Sequence, residues 1–212
     1  MPTHCIYPQP CVLHGVFTFA GGVQVYSNNL IVPMSLGVDT VAGGTYSSFA
    51  NTLGPRCLDF GWAPAILQFA QGGRSVSWFV DNYSTMAASL TAWLGHLSSP
   101  RIRGMVWYQG ESDVGSTSGF WSSNMETLVT QIRTTVSAPT MPIVIVKLPN
   151  YVDFTTQQLA DFHAEQDAFV ALDARASSVF DAAATQASAQ HVDIPSLARL
   201  GYMLADRLRA HA

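Results

Sequence analysis

Residues 104–113 read GMVWYQGESD: an apolar run closing on a tryptophan and a tyrosine breaks at once into glutamine, glycine, a carboxylate, a serine and a second carboxylate. A buried strand that delivers polar groups at its own carboxyl end is what an open α/β sheet presents at its ligand crevice. Gln109, Glu111 and Asp113 are therefore candidate functional residues. The plainer reading of the same residues is a polar strand-to-helix turn in which Glu111 or Asp113 caps a short helix.

Outward from this strand, segments of strand length alternate with segments of helical period, the pattern of a parallel sheet covered by helices on both faces. VFTFA (16–20), VQVYS (23–27), IRGMVWY (102–108) and MPIVIVKL (141–148) read as strands. WAPAILQFAQ (62–71), YSTMAASLTAWLGHL (83–97), WSSNMETLVTQIRTTV (121–136) and TQQLADFHAEQDAFVALDA (156–174) read as helices, and IPSLARLGYMLADRLRA (194–210) as a closing helix with Pro195 in its first turn. Residues 28–61, rich in Gly, Ser, Thr and Pro, read as a long loop, a length that compact domains reserve for function or an interface. No internal repeat or linker divides the chain, so residues 1–212 are expected to form a single domain.

Charged residues make up 11% of the chain, against roughly 25% in an ordinary soluble domain, and Lys147 is its one lysine. The mean hydropathy is +0.19. No apolar run reaches the length of a membrane span, about 18 residues, so the low charge points instead to surface buried against other subunits or to a secreted or displayed protein. A net charge of −4 without a basic cluster argues against a nucleic-acid partner. Cys5, Cys11 and Cys57 allow at most one intrachain disulfide and have no metal-ligand spacing. The stretch MPTHCIYPQPC lacks the basic and apolar regions of a secretory signal.

Two further segments accompany WYQGESD. GPRCLDFGWAPAILQFAQGGRSVSWF (54–79) carries the pair Gly72 and Gly73 ahead of a serine-rich stretch ending in tryptophan, and HVDIPSLARLGYMLADRL (191–208) sets His191 directly before the last helix. In this order the three segments resemble the SGNH hydrolases, in the sialate O-acetylesterase and acetylxylan-esterase-like branch of carbohydrate esterases. The resemblance spans roughly residues 54–210, and W-Y-Q-G-E-S-D is its most specific part. It implies a three-layer α/β/α, flavodoxin-like domain with a five-stranded parallel sheet, a substrate that is an acetylated carbohydrate or glycan, and no metal or cofactor.

It also implies roles. In such enzymes a serine attacks the acetyl carbonyl while a histidine takes its proton and passes it to the leaving sugar oxygen. Carried over by position, His191 matches the base, Gln109 the side-chain oxyanion donor, Gly73 (or Gly72) the backbone donor, and Glu111 the motif glutamate that orients its neighbours. His4, His14, His96, His163 and His211 stand in no matched context.

Two parts of the pattern are missing. The family's nucleophile motif G-Q-S-N does not occur. Aligning VFTFAGGVQV puts Val23 at the serine position, PQPC puts Pro10 there, and VYSN supplies Ser27 followed by Asn28. Only Ser27 brings a hydroxyl; Cys11 is a remoter alternative nucleophile. The aspartate three residues before the histidine is replaced by Ser188, which leaves Asp193, Glu111 or Asp113 to orient the imidazole. Two function classes follow. One is a carbohydrate O-acetylesterase using Ser27, His191, Glu111, Asp113, Gly73 and Gln109. The other is a catalytically degenerate SGNH domain serving as a structural or glycan-binding subunit of a homo-oligomer or larger assembly, such as a particle shell, filament or appendage.

Overall fold

The computed structural model describes residues 16–19, 49–62, 66–68, 73–95, 101–151, 153–188 and 191–211. Five parallel strands form the central sheet: β1 (Val16–Phe19), β2 (Ile66–Gln68), β3 (Gly104–Trp107), β4 (Ile143–Val146) and β5 (Ala176–Val179). Their spatial order is β2-β1-β3-β4-β5, so chain order reverses between β1 and β3. At such a reversal the flanking connections leave toward opposite faces, and a crevice opens at the carboxyl ends of the two strands.

Helices cover both faces. α1 (Ala50–Asp59) packs against α6 (Ile194–Ala210) on one side, while α2 (Val76–Asp81), α3 (Tyr83–Gly95), α4 (Phe120–Thr135) and α5 (Thr156–Leu172) pack against one another on the other. A two-stranded antiparallel ribbon, β6 (Gln186–Ser188) and β7 (His191–Val192), leads into α6. The architecture is the three-layer α/β/α expected from the resemblance.

Burial explains which strands were legible. Met105, Val106, Trp107, Ile143, Val144 and Ile145 are fully buried, so β3 and β4 carry no polar alternation and read as continuous apolar runs. Trp107 meets Phe79 of α2 edge-on, with ring centroids 5.2 Å apart. On α6, Gly201 lets the α1 backbone come close: a Cβ there would overlap Thr52 Oγ1 and the Phe49 carbonyl. Thr52 Oγ1 donates to Ala198 O at 2.9 Å, binding the two helices at that crossing.

Two expectations are corrected. The helix expected at 62–71 is overturned at its centre, where Ile66–Gln68 are strand β2, in register with Val16–Thr18. The apolar spacing of that segment suits a helix, but the open edge of β1 offers hydrogen bonds that no local pattern records. The loop assigned to 28–61 contains α1, despite Gly54 and Pro55 within it. Its helicity is sustained by packing: Leu53 and Cys57 are fully buried, outweighing the local breakers. Cys57 is a free thiol whose pKa burial pushes up to about 11. The strand expected at 23–27 lies outside the described residues. Among the described residues no helix is long and apolar enough to cross a membrane.

Candidate active site

The chain leaves β3 through buried Tyr108 and Gln109 and turns at once, Asp113 N and Val114 N both donating to Gly110 O at 2.8 and 3.0 Å. Gly110 is dictated by a neighbour. A Cβ at that position would overlap the ring of Phe162 on α5, so the motif's glycine lets the turn sit flush against that helix. Ser116 closes the turn, its Oγ donating to Asp113 O at 2.6 Å.

Asp113, only 1% exposed, reaches the start of α2. Its carboxylate accepts from Val76 N at 3.0 Å and from Gln109 Nε2 at 2.7 Å. Ser75, at the N-cap position of α2, makes no capping bond with its side chain and pairs with Ser77 Oγ instead, so Asp113 supplies the acceptor that the first helical N–H needs. Burial raises the Asp113 pKa to about 6; the bonds from Gln109 and Val76 pull the other way, and the charge of Glu111 adds to the rise.

Gln109 donates its second amide N–H to Arg74 O at 2.8 Å, so both of its donors are engaged. Its Oε1 is buried without a partner. Gly73, exposed and at φ 65°, forms the turn immediately before Arg74. Gln109, Asp113 and the Gly73–Arg74 turn therefore meet at the carboxyl end of β3, drawn from segments more than thirty residues apart.

Glu111 faces a different set. Its Oε2 accepts from Gly110 N at 3.1 Å and its Oε1 from Tyr151 Oη at 3.3 Å. Tyr151 Oη lies 3.0 Å from Tyr108 Oη, and burial raises both phenols far above the ordinary tyrosine range. Sequence reasoning passed over Tyr151. The available signal was its place in PNY, just past β4, equivalent to that of QGE past β3. It also missed Arg74, which enters through its backbone carbonyl, a group no side-chain motif reveals.

His191 lies in β7, paired in register with Ser188 of β6, just ahead of α6. Its neighbour Val192 lines a small cavity together with Tyr108, Val146, Pro149, Asp181 and Ser196. Asp193 is the N-cap of α6: its carboxylate accepts from Ser196 N at 2.9 Å and from Thr185 Oγ1. Ser196 and Thr185 hold that carboxyl below the usual aspartate range. Asp193 is thus engaged in holding the helix start. Ser27, the alternatives at Pro10, Cys11 and Val23, and Gly72 lie outside the described residues.

A parallel sheet of order 2-1-3-4-5 with a polar turn at the carboxyl end of a strand beside the reversal, and a short ribbon carrying a histidine into the last helix, is a flavodoxin-like arrangement of the kind SGNH hydrolases have. Known structures share it. A protein from Arabidopsis thaliana is 17% identical with a TM-score of 0.65, the match covering 93% of this chain and 98% of that one. A carbohydrate acetylesterase from Xanthomonas citri is 16% identical with a TM-score of 0.65, covering 93% of this chain and 56% of that one. The aryl esterase of M. smegmatis is 13% identical with a TM-score of 0.59, covering 93% and 100%. These identities speak for the fold. Among curated proteins, no sequence match is found. Residues 28–210 match the model of the family described as carbohydrate esterase, sialic acid-specific acetylesterase, and the chain belongs to that family.

Proposed function

We propose that the protein is a carbohydrate O-acetylesterase acting by a serine-histidine mechanism. Ser27 Oγ attacks the acetyl carbonyl as His191 takes its proton. The tetrahedral oxyanion accepts from the Gly73 backbone N–H and from Gln109 Nε2. Collapse breaks the bond to the sugar oxygen, which takes the proton from His191 and leaves as a hydroxyl, and water then hydrolyses the acetyl-serine by the same route. For Gln109 to serve the oxyanion, it exchanges its bond to Arg74 O for one to substrate, while Asp113 keeps the other N–H and fixes the amide plane. Glu111 orients the groups around it. No metal or cofactor takes part.

The observation that carries this reading is the meeting of the Gln109 amide with the Gly73–Arg74 turn, 2.8 Å from Nε2 to Arg74 O, at the crevice end of β3. Oxyanion donors are effective when held in place before the charge develops. The test is hydrolysis of an aryl acetate and of an O-acetylated sugar. Ser27→Ala is expected to remove nearly all activity, His191→Ala most of it, and a fluorophosphonate is expected to label Ser27. Label on another residue, or activity surviving Ser27→Ala, overturns the assignment of the nucleophile.

One observation favours the second reading, a non-catalytic subunit of a homo-oligomer or larger secreted or displayed assembly. α3 contains no charged residue, and Ser84, Thr85, Ala88, Thr91 and Ala92 on it are exposed. Exposed helix faces ordinarily carry charge, whereas interface cores are depleted of it. An inactive wild-type protein that scatters light as an oligomer supports this reading; an active monomer removes it.

A further inference from the structure

The hydroxyls of Tyr108 and Tyr151 form a chain that ends on Glu111. Tyr151 is 2% exposed and Tyr108 9%, so neither hydroxyl is freely hydrated. An ionised carboxylate only accepts, which commits the Tyr151 proton to Glu111 Oε1, 3.3 Å away. The lone pairs of Tyr151 are then left to accept from Tyr108, 3.0 Å away. Each bond in such a series polarises the next, and low local dielectric strengthens both. With Gly110 N on Oε2, the carboxylate of Glu111 is held at both oxygens. The far end of the chain, Tyr108, lines the same cavity as Val192, next to His191.

We propose that Tyr151, backed by Tyr108, is a positioning residue for Glu111: the paired phenols hold its carboxylate ionised and fixed in direction. The catalytic consequence rests on the esterase reading above; the hold on Glu111 does not. Removing a donor to a charged group weakens the preference for its ionised form, while the ring of Tyr151→Phe still fills the site.

The experiment is a titration of Glu111 by carboxyl carbon NMR in wild type, Tyr151→Phe and Tyr108→Phe. Glu111, Glu126 and Glu165 are the only glutamates of the chain, so Glu111→Gln assigns the resonance. Glu111 is expected to titrate at higher pH in Tyr151→Phe than in wild type, with a smaller displacement in the same direction in Tyr108→Phe. With activity present, kcat is expected to fall roughly tenfold in Tyr151→Phe, as for one lost bond to a charged group. KM should stay unchanged, and the acid limb of the pH profile should move up with the Glu111 titration. An unchanged Glu111 titration in folded Tyr151→Phe overturns the proposal. Should Tyr151→Phe fail to fold, Tyr108→Phe decides by the same displacement or its absence. A wild-type protein that hydrolyses no ester defeats the esterase reading, while the titration still decides whether the tyrosine chain holds Glu111.

Discussion

Gln109 and Asp113 lie four residues apart on one turn and are joined side chain to side chain, Nε2 donating to Oδ2 at 2.7 Å. The bond makes the first residue of the turn depend on the protonation of the last buried one. Asp113 has a pKa of about 6 in the fold, burial being the main cause, against an ordinary value of 3.8. A carboxyl with a raised folded pKa takes up its proton more readily in the native state. Its contribution to stability is therefore complete below the unfolded value and is lost as pH rises through about 6. Urea midpoints of wild type and Asp113→Asn, measured from about pH 4 to about pH 7, should show wild type losing ground against the variant over that interval. Parallel curves would contradict the placement of Asp113.

The same bond orients the Gln109 amide. Asp113→Asn presents an amide N–H2 where a carboxylate oxygen stood, or else surrenders the bond to Val76. For an active enzyme kcat is expected to drop by roughly a hundredfold, the cost of misplacing a catalytic group by about an ångström. Steady-state kinetics check this, with circular dichroism confirming that the fold is retained.

Gly110→Ala is expected to destabilise the chain by about 1–3 kcal/mol, because its methyl must displace the Phe162 ring from a closed core. In a chain of this length each kcal/mol lowers Tm by roughly 2–4 °C. Phe162→Leu in the same chain should relieve part of that loss. Full additivity of the two changes would show that the clash is not with Phe162.

Glu165 on α5 caps α4 from outside: Gly119 N, Ser122 N, Ser122 Oγ and Ser118 Oγ all donate to its carboxylate. Burial opposes its charge, yet these bonds prevail and its pKa lies below the usual glutamate range. Since the folded pKa is depressed, the stabilisation is present above the unfolded value and is lost as pH falls through the folded one. Glu165→Ala should cost about 1–2 kcal/mol at neutral pH, and the gap from wild type should close on acidification. Thermal melts at neutral and acid pH measure both.

The uncharged outer face of α3 leads to a prediction about mass. The protein is expected to scatter light as an oligomer at micromolar concentration, not as a 22.9 kDa monomer. Ala88→Arg, placing a charge on that exposed face, is expected to shift the population toward monomer.

Elements whose burial is complete or whose caps are local are legible in the amino-acid sequence. β3 and β4 are buried on both faces, so their apolar runs are uninterrupted. α6 opens with Asp193 on Ser196 N and Pro195 in its first turn, signals within a few residues of one another. WYQGESD likewise named Gln109, Glu111 and Asp113 as polar groups at a strand end. Tertiary structure alone decided β2, whose hydrogen bonds come from β1 fifty residues earlier, and α1, which holds its helix around Pro55 by packing on α6. It alone also decided how the motif's groups are used: Asp113 turns to Val76 and Gln109, and Glu111 to Tyr151. Local pattern records periodicity and caps. Which strand edge is open, and which buried donor stands opposite a carboxylate, depend on contacts between distant segments that leave no mark in either segment alone.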